Sequence, residues 1–255
     1  MIRKASIAAA TALVLAAGTG SAQMGVDPNN KFLVEWNNRL STDFPYLARY
    51  REANAALVPT LGHPRVVFMG DSITEGWPNK AGDFFTPGRI GRGISAQTTP
   101  QMVLRFRQDV IDLHPAVVHI MAGTNDIAGN TGPMTAEQTQ ANIRSMVELA
   151  HAHGIRVILA SIPPADQFPW KPGLDAAGKI AAMNGWLKDY AARSGCVYAD
   201  YWSALKQNDG LGMREGLSSD HVHPTEAGYA VMAPIANAAI KRALALPAPR
   251  KTAAE

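Results

Sequence analysis

The sequence predicts an α/β domain built around a parallel sheet of five strands. Its apolar runs are continuous rather than alternating, which is typical of strands covered on both faces. Helical segments separate these runs, as the crossover connections of a parallel sheet require. The runs are "RVVFMG" (65–70), "GRIGRGI" (88–94), "AVVHIMAG" (116–123), "IRVILASIPP" (155–164) and "CVYADY" (196–201).

The clearest helical segment is "TAEQTQANIRSMVELAHAHG" (135–154). Thr135 and Gln138 have the spacing of a capping box, and Gly154 is placed to end the helix. One face of this helix is apolar, through Ile143, Met146, Val147 and Ala150. A second helix is predicted over 174–193, and a last one follows Pro224.

The length of 255 residues predicts one large domain. Hydrophobic residues make up 47% of the chain, and this composition is not that of a disordered protein. We divide the chain into a signal peptide (1–22), an N-terminal helical extension (23–60), the α/β domain itself (61–245) and a flexible tail (246–255).

The N-terminus has the organisation of a secretory signal. Arg3 and Lys4 precede a run of small apolar residues, and "GTGSAQ" offers a cleavage position after Ala22. The run is too short and too rich in alanine for an integral membrane span, although an uncleaved anchor is the alternative. We therefore expect export to the periplasm or the extracellular space.

Charge and cysteine content exclude other classes of protein. Removing Arg3 and Lys4 lowers the formal net charge from +3 to +1, and no basic cluster indicates a nucleic-acid partner. Cys196 is the only cysteine, so the chain has no internal disulfide. Its setting in "GCVYADYW" is that of a small buried hydrophobe rather than a nucleophile.

Polar groups follow the predicted strands, at the edge where a parallel sheet carries its functional residues. These groups are Asp71-Ser72, the turn "GISAQTT" (93–99), "GTNDIAGN" (123–130) and "SSDHVHPTEAGY" (218–229). A hydroxyl, an amide and an Asp/His pair are the parts that acyl transfer needs. Taken alone, Ser72 also fits a helix N-cap, and Asn125 also fits an Asx turn.

Asp220 and His223 are three residues apart, so the carboxylate can hold the imidazole of the same loop. Alone, His223 also fits a solvated helix-entry residue. The "DHVH" segment offers a metal alternative, and His151 and His153 form a second H-x-H pair. The latter pair lies at a predicted helix C-terminus, where cationic groups are favoured anyway. We expect no metal and no cofactor.

These residues together resemble the SGNH hydrolases, also called GDSL esterases or lipases. "GDSITEGW", "GISAQTT", "GTND" and "DHVH" are similar to the four blocks of that family, in the family's order, within residues 65–240. Thr74 in the position of the second glycine argues against the G-x-S-x-G elbow of an α/β-hydrolase. "TTPQMVLRFRQDV" and "AGTNDIAGNTGP" are most similar to the platelet-activating-factor acetylhydrolase branch.

The resemblance implies a three-layer α/β/α, flavodoxin-like fold with a five-stranded parallel sheet. It implies Ser72 as nucleophile, His223 as general base and Asp220 as the acid that orients it. The oxyanion hole would comprise the backbone N–H of Ser72, the side-chain amide of Asn125 and the backbone N–H of Ala96. In the family this last position is glycine, so a positive φ at Ala96 would cost roughly 1–2 kcal/mol.

We therefore predict an exported serine esterase that hydrolyses short-chain acyl esters, acetyl esters foremost, of a small-molecule or carbohydrate substrate. The alternatives are an acyltransferase with the same triad and a non-catalytic carbohydrate-binding protein of this fold. Asp71, Phe168 and Trp170 are candidate substrate-lining residues, the last two in the loop "PPADQFPWKPG" (163–173), which also fits a packed surface loop. Sugar acetates, aryl esters and lysophospholipids are not distinguished, and the oligomeric state stays open.

Overall fold

The computed structural model describes residues 29–58, 61–208 and 211–252. Its five parallel strands confirm the predicted α/β fold, in the order β2-β1-β3-β4-β5. They are β1 (Val66–Gly70), β2 (Arg89–Gly93), β3 (Val117–Met121), β4 (Arg156–Ala160) and β5 (Val197–Ala199). Each predicted run contains one of these strands, and the largest difference is at β4, which ends before Pro163 and Pro164.

The described residues form nine α-helices and two short 3-10 helices. The α-helices are α1 (Lys31–Thr42), α2 (Arg51–Ala55), α3 (Ser72–Lys80), α4 (Thr99–Asp109), α5 (Thr124–Ala128), α6 (Ala136–Ala152), α7 (Ala176–Ser194), α8 (Tyr201–Leu205) and α9 (Glu226–Ala245). The 3-10 helices are Gly82–Phe84 and Ile111–Leu113. The predicted capping box of Thr135 and Gln138 is present at the start of α6.

The strand order determines where the site lies. The chain moves from β1 to one side through α3, and then returns past β1 to reach β3. Right-handed crossovers therefore place α3 and α4 on opposite faces of the sheet. The reversal at β1 leaves a crevice at its carboxyl end, where sheets of this type bind ligands. In register, Gly70 at the end of β1 pairs with Gly93 and Met121.

One face of the sheet carries an aromatic cluster. The indole of Trp77 on α3 stacks on Tyr229 of α9, with ring centroids 5.4 Å apart, and on Phe84 at 4.7 Å. His119 on β3 is fully buried beside this cluster and its Nε2 bonds the Tyr201 hydroxyl at 2.8 Å. Burial lowers the pKa of His119 to about 3, so its imidazole is neutral and belongs to the core.

The predicted N-terminal extension is bound to the domain by glutamine side chains. Three of them, on α4 and just before it, donate to main-chain carbonyls of the connection between α1 and α2. The bonds are Gln101 Nε2 to Phe44 O at 2.6 Å, Gln97 Nε2 to Pro45 O at 2.8 Å and Gln108 Nε2 to Leu47 O at 2.8 Å. These bonds fix the extension against α4 and the turn that precedes it.

The predicted domain boundaries stay predictions. Residues 1–22 lie outside the described residues. Within the predicted tail, Leu246 O accepts from Arg156 Nε at 2.8 Å, and the Thr252 N–H donates to Ala152 O at 2.9 Å. Among the described residues, no helix has both the length and the apolar character needed to cross a bilayer.

Candidate active site

Ser72 is the first residue of α3, directly after β1. The N-cap is Asp71, whose Oδ1 accepts the Ile73 N–H at 3.0 Å. Because Asp71 caps the helix, the Ser72 hydroxyl is left for another partner, and its Oγ lies 2.8 Å from His223 Nε2. Ser72 therefore lies at a helix N-terminus, which favours nearby negative charge, and its hydroxyl contacts an imidazole nitrogen that can act as a base.

Asp220 binds His223 through both of its carboxylate oxygens. Oδ2 lies 2.6 Å from His223 Nδ1, while Oδ1 accepts the N–H groups of His223 at 2.7 Å and Val222 at 3.1 Å. Burial alone would raise the pKa of Asp220, but the hydrogen bonds and charge of His223 lower it below the ordinary value. The carboxylate thus fixes the tautomer in which Nε2 can accept the serine proton.

The loop that carries this pair is also bound to the loop 163–173. His221 has a left-handed backbone, φ +72°, and its Nδ1 lies 3.1 Å from Asp166 Oδ1. This contact turns His221 away from His223, so the "DHVH" segment does not converge on one cation. In the described part of the chain, no three His, Cys, Asp or Glu side chains are placed to hold a metal ion.

Asn125 lies in the first turn of α5, after β3, and is only 3% exposed. Its Nδ2 donates to Gln97 O at 2.9 Å, and its Oδ1 accepts from Asn130 Nδ2 at 2.9 Å. Asn130 Oδ1 in turn accepts the indole N–H of Trp170 at 3.0 Å. These bonds fix the orientation of the Asn125 amide and leave its second N–H for an acceptor in the cavity.

Ala96 has φ +64°, the left-handed conformation that favours glycine. The turn after β2 therefore has a positive φ at the position where the family has glycine, and in this chain alanine adopts that conformation. Ala96 lines the same cavity as Ser72 and Asn125.

A buried arginine connects this turn to the end of β1, which directly precedes Asp71 and Ser72. Arg105 on α4 is fully buried and pairs with Asp109 at 3.0 Å. Its other N–H groups donate to Gln97 Oε1 at 2.6 Å, Arg92 O at 2.9 Å and Gly70 O at 3.0 Å. Sequence reasoning missed this residue, although the i,i+4 pair with Asp109 is visible in "RFRQD".

The cavity at this candidate catalytic site has a volume of about 540 Å³. Its lining comprises Asn30, Phe32, Leu33, Trp36, Ser72, Ser95, Ala96, Asn125, Asn130, Trp170 and His223. The α1 residues and Asn130 were not predicted, because neither a terminal helix nor a second asparagine after "GTND" marks a site by itself.

Of the three predicted lining residues, only Trp170 faces the cavity. Asp71 and Phe168 are each 1% exposed and lie outside its lining. Asp71 turns inward to cap α3, and burial raises its pKa to about 6. Phe168 stacks against Trp170 with ring centroids 5.3 Å apart, so it supports the lining residue from behind.

Cys196 is outside this site. Burial raises the pKa of its thiol to about 11, so it stays protonated at neutral pH and is a poor nucleophile.

Comparison with known proteins agrees with the resemblance. The sequence model of the GDSL-like Lipase/Acylhydrolase family matches residues 68–231. The crystal structure of a GDSL-like lipase from Bacteroides thetaiotaomicron is 45% identical, with a TM-score of 0.76, covering 79% of this chain and all of that one.

Two curated proteins also match. The acetylxylan esterase of Geobacillus stearothermophilus is 25% identical over 203 residues, covering 66% of this chain and 90% of that protein. An uncharacterized lipoprotein of Bacillus subtilis is 34% identical over 121 residues, covering 40% of this chain. That match spans only 50% of the lipoprotein's own length.

Proposed function

The chain belongs to the GDSL-like lipase/acylhydrolase family, and from this premise we propose that it is an exported serine esterase acting on short-chain acyl esters, acetyl esters foremost. Its reaction class, carboxylic ester hydrolysis, follows from the family. The proposal adds the residues, the acyl group and the location.

The observation that carries the proposal is the continuous hydrogen-bonded series from Ser72 Oγ through His223 to Asp220, at 2.8 and 2.6 Å. In the proposed reaction, Ser72 Oγ attacks the ester carbonyl carbon while His223 Nε2 takes the hydroxyl proton. Asp220 stabilises the imidazolium that forms. His223 then returns the proton to the leaving alcohol, and water releases the acyl group from Ser72 by the same steps.

The oxyanion of the tetrahedral intermediate would lie between three donors: the backbone N–H groups of Ser72 and Ala96 and the free N–H of the Asn125 amide. Support for this comes from the cavity, which Ser72, Ala96 and Asn125 line together. The first two are backbone donors, so neither depends on the identity of its side chain. Preorganised donors of this type contribute a large part of the rate enhancement in acyl transfer.

The acyl group and the location are inferred from the relatives and from the sequence. A protein named acetylxylan esterase matches two thirds of this chain, and no long apolar segment in the sequence predicts a lipid-acyl channel. The predicted signal peptide, together with a relative named as a lipoprotein, supports export.

Labelling with a fluorophosphonate tests the nucleophile. We expect one labelled site in the wild-type protein and none in Ser72→Ala, with the fold of the variant checked by circular dichroism. An unlabelled wild-type protein would favour the non-catalytic, carbohydrate-binding alternative.

Rates on 4-nitrophenyl esters of increasing chain length test the acyl group, and we expect kcat/KM to fall beyond the short acyl chains. Adding a sugar or alcohol acceptor to the same reaction tests the acyltransferase alternative. If the main product is the acylated acceptor and not the free acid, the proposed activity is acyl transfer and not hydrolysis.

A further inference from the structure

One wall of the catalytic cavity comes from α1, which lies outside the segment matched by the family. This wall comprises Phe32, Leu33 and Trp36, with Asn30 preceding them at the N-cap. Phe32 and Trp36 are four residues apart, so they lie on the same side of the helix. Trp170 from the loop 163–173 forms another part of the lining.

The wall is a fixed part of the fold. Trp36 is only 3% exposed, and the Arg39 guanidinium lies 5.4 Å from its ring and 4.3 Å from the ring of Tyr46. Directly after the helix, the connection is held by the three glutamine bonds described above. Asp43 also accepts the N–H groups of Leu47 at 2.8 Å and Ala48 at 3.0 Å.

The lining selects a neutral, apolar ligand. Among the described residues that line it, His223 is the only titratable side chain, so none of these residues offers a carboxylate, lysine or arginine to pair with a charged ligand. Phe32, Trp36 and Trp170 contribute aromatic surface, and Phe32 remains 48% exposed. A volume of about 540 Å³ is typical of sites for whole small molecules and far exceeds the space that an acetyl group fills.

A second cavity, which also borders Ser72 and His223, is more polar. It has a volume of about 310 Å³ and is lined by charged and polar side chains, among them Glu75, Asn79 and Lys80. An apolar group placed there would remove water from two charged groups without replacing it. The apolar part of a substrate is therefore directed toward α1.

The leaving oxygen must lie within reach of His223 Nε2, because this nitrogen returns the proton to it. The ring of Trp170 lies 6.4 Å from the imidazole, centroid to centroid. A group attached to the leaving oxygen therefore extends along Trp170 toward α1.

We infer that α1 and Trp170 form a binding site for the alcohol part of the substrate, that this part carries a neutral aromatic group, and that Phe32 and Trp36 determine the preference for it. This inference rests on the proposed esterase function. It commits to an aryl-bearing alcohol and not to a sugar or a charged headgroup.

Acetates of alcohols with similar reactivity test it: ethyl, benzyl and 2-naphthylmethyl acetate, with acid release followed by pH-stat. We expect kcat/KM to be about tenfold or more higher for benzyl than for ethyl acetate, since contacts in an apolar pocket discriminate on this scale. Phe32→Ala should lower the benzyl-to-ethyl ratio about tenfold, and Trp36→Phe should lower it less.

Val34→Ala is the matched control, because Val34 lies on the same helix, is 42% exposed and does not line the cavity. Its ratio should equal that of the wild type. A wild-type ratio near one, or a ratio that Phe32→Ala leaves unchanged, would overturn the inference.

Two further substrates distinguish the alternatives. Ethyl 3-phenylpropanoate carries the ring on the acyl side, and a higher kcat/KM for it than for benzyl acetate would contradict the alcohol assignment. A higher kcat/KM for an acetylated methyl xyloside than for benzyl acetate would contradict the inference that the alcohol carries an aromatic group. The inference alone fails if the wild type hydrolyses ethyl acetate, Ser72→Ala does not, and the benzyl-to-ethyl ratio is the same in Phe32→Ala as in the wild type. The proposed function fails if the wild type hydrolyses none of these esters.

Discussion

Replacing Ala96 by glycine is expected to stabilise the protein, although it removes a methyl group. The backbone at this position has φ +64°, where an L-residue is disfavoured by roughly 1–2 kcal/mol relative to the right-handed region. Glycine does not pay this cost, but its unfolded chain has more conformational freedom, which opposes folding by about 0.4–1 kcal/mol. The difference is a net stabilisation of about 1 kcal/mol.

The assay is urea unfolding followed by tryptophan fluorescence, with a thermal scan beside it. For a chain of this size, about 1 kcal/mol corresponds to a rise in Tm of roughly 2–4 °C. The backbone N–H of residue 96 is unchanged by the substitution, so the proposed oxyanion donor remains and kcat should stay within about threefold of the wild type.

Ala56→Gly provides the matched control. Ala56 is exposed and has φ −81°, so glycine offers no relief there and should destabilise the protein by roughly 0.5–1 kcal/mol. If Ala96→Gly were destabilising by the same amount as Ala56→Gly, the left-handed turn would not exist and the argument would be refuted.

Three further predictions concern Asn125, Asn130 and Asp71. Asn125→Ala should lower kcat about 10²–10³-fold with little change in KM, because an oxyanion donor acts mainly in the transition state; an unchanged kcat would contradict this. Asn130→Ala should lower kcat about tenfold through the loss of the bond that orients Asn125, and combining both substitutions should cost no more than Asn125→Ala alone; additive losses in steady-state kinetics would argue against this coupling. Burial raises the pKa of Asp71 from 3.8 to about 6, so the folded state binds this proton more tightly than the unfolded chain and stability falls as pH rises through this interval, by about 3 kcal/mol. Asp71→Asn retains an acceptor for the helix cap and should abolish that part of the fall, as urea unfolding at pH 4.5 and pH 8 would show; equal pH dependence in both proteins would refute the argument.

The strands and the proximity of Ser72, His223 and Asp220 were predictable because their signals are local in sequence. A buried parallel strand is a continuous apolar run, and the groups that follow β1, β3 and β5 must reach the same edge of the sheet. This alone brings Ser72, Asn125 and the Asp220–His223 pair within range of one another.

Other features depend on tertiary contacts that no short pattern encodes. Three glutamines near α4 determine where α1 lies, yet a glutamine on a helix is more often a solvated residue. Asp71 and Phe168 fit a substrate site by position in the sequence, but the need to cap α3 and to support Trp170 turns both inward. The burial of Arg105 could not be read from its sequence, because an i,i+4 pair such as Arg105 and Asp109 fits an exposed helix face as well as a buried one.

Trp170 has two roles, and for this reason a change of substrate range is expected to arise from substitutions in α1 rather than at Trp170. Its ring forms part of the cavity wall while its N–H holds Asn130, so a replacement that reshapes the wall also releases the amide network around Asn125. Phe32 lines the same cavity and lies on a helix outside the segment 68–231 that holds the proposed triad and the proposed oxyanion donors. Selection for new substrates, in nature or in the laboratory, should therefore accumulate changes in α1 and leave Trp170 in place.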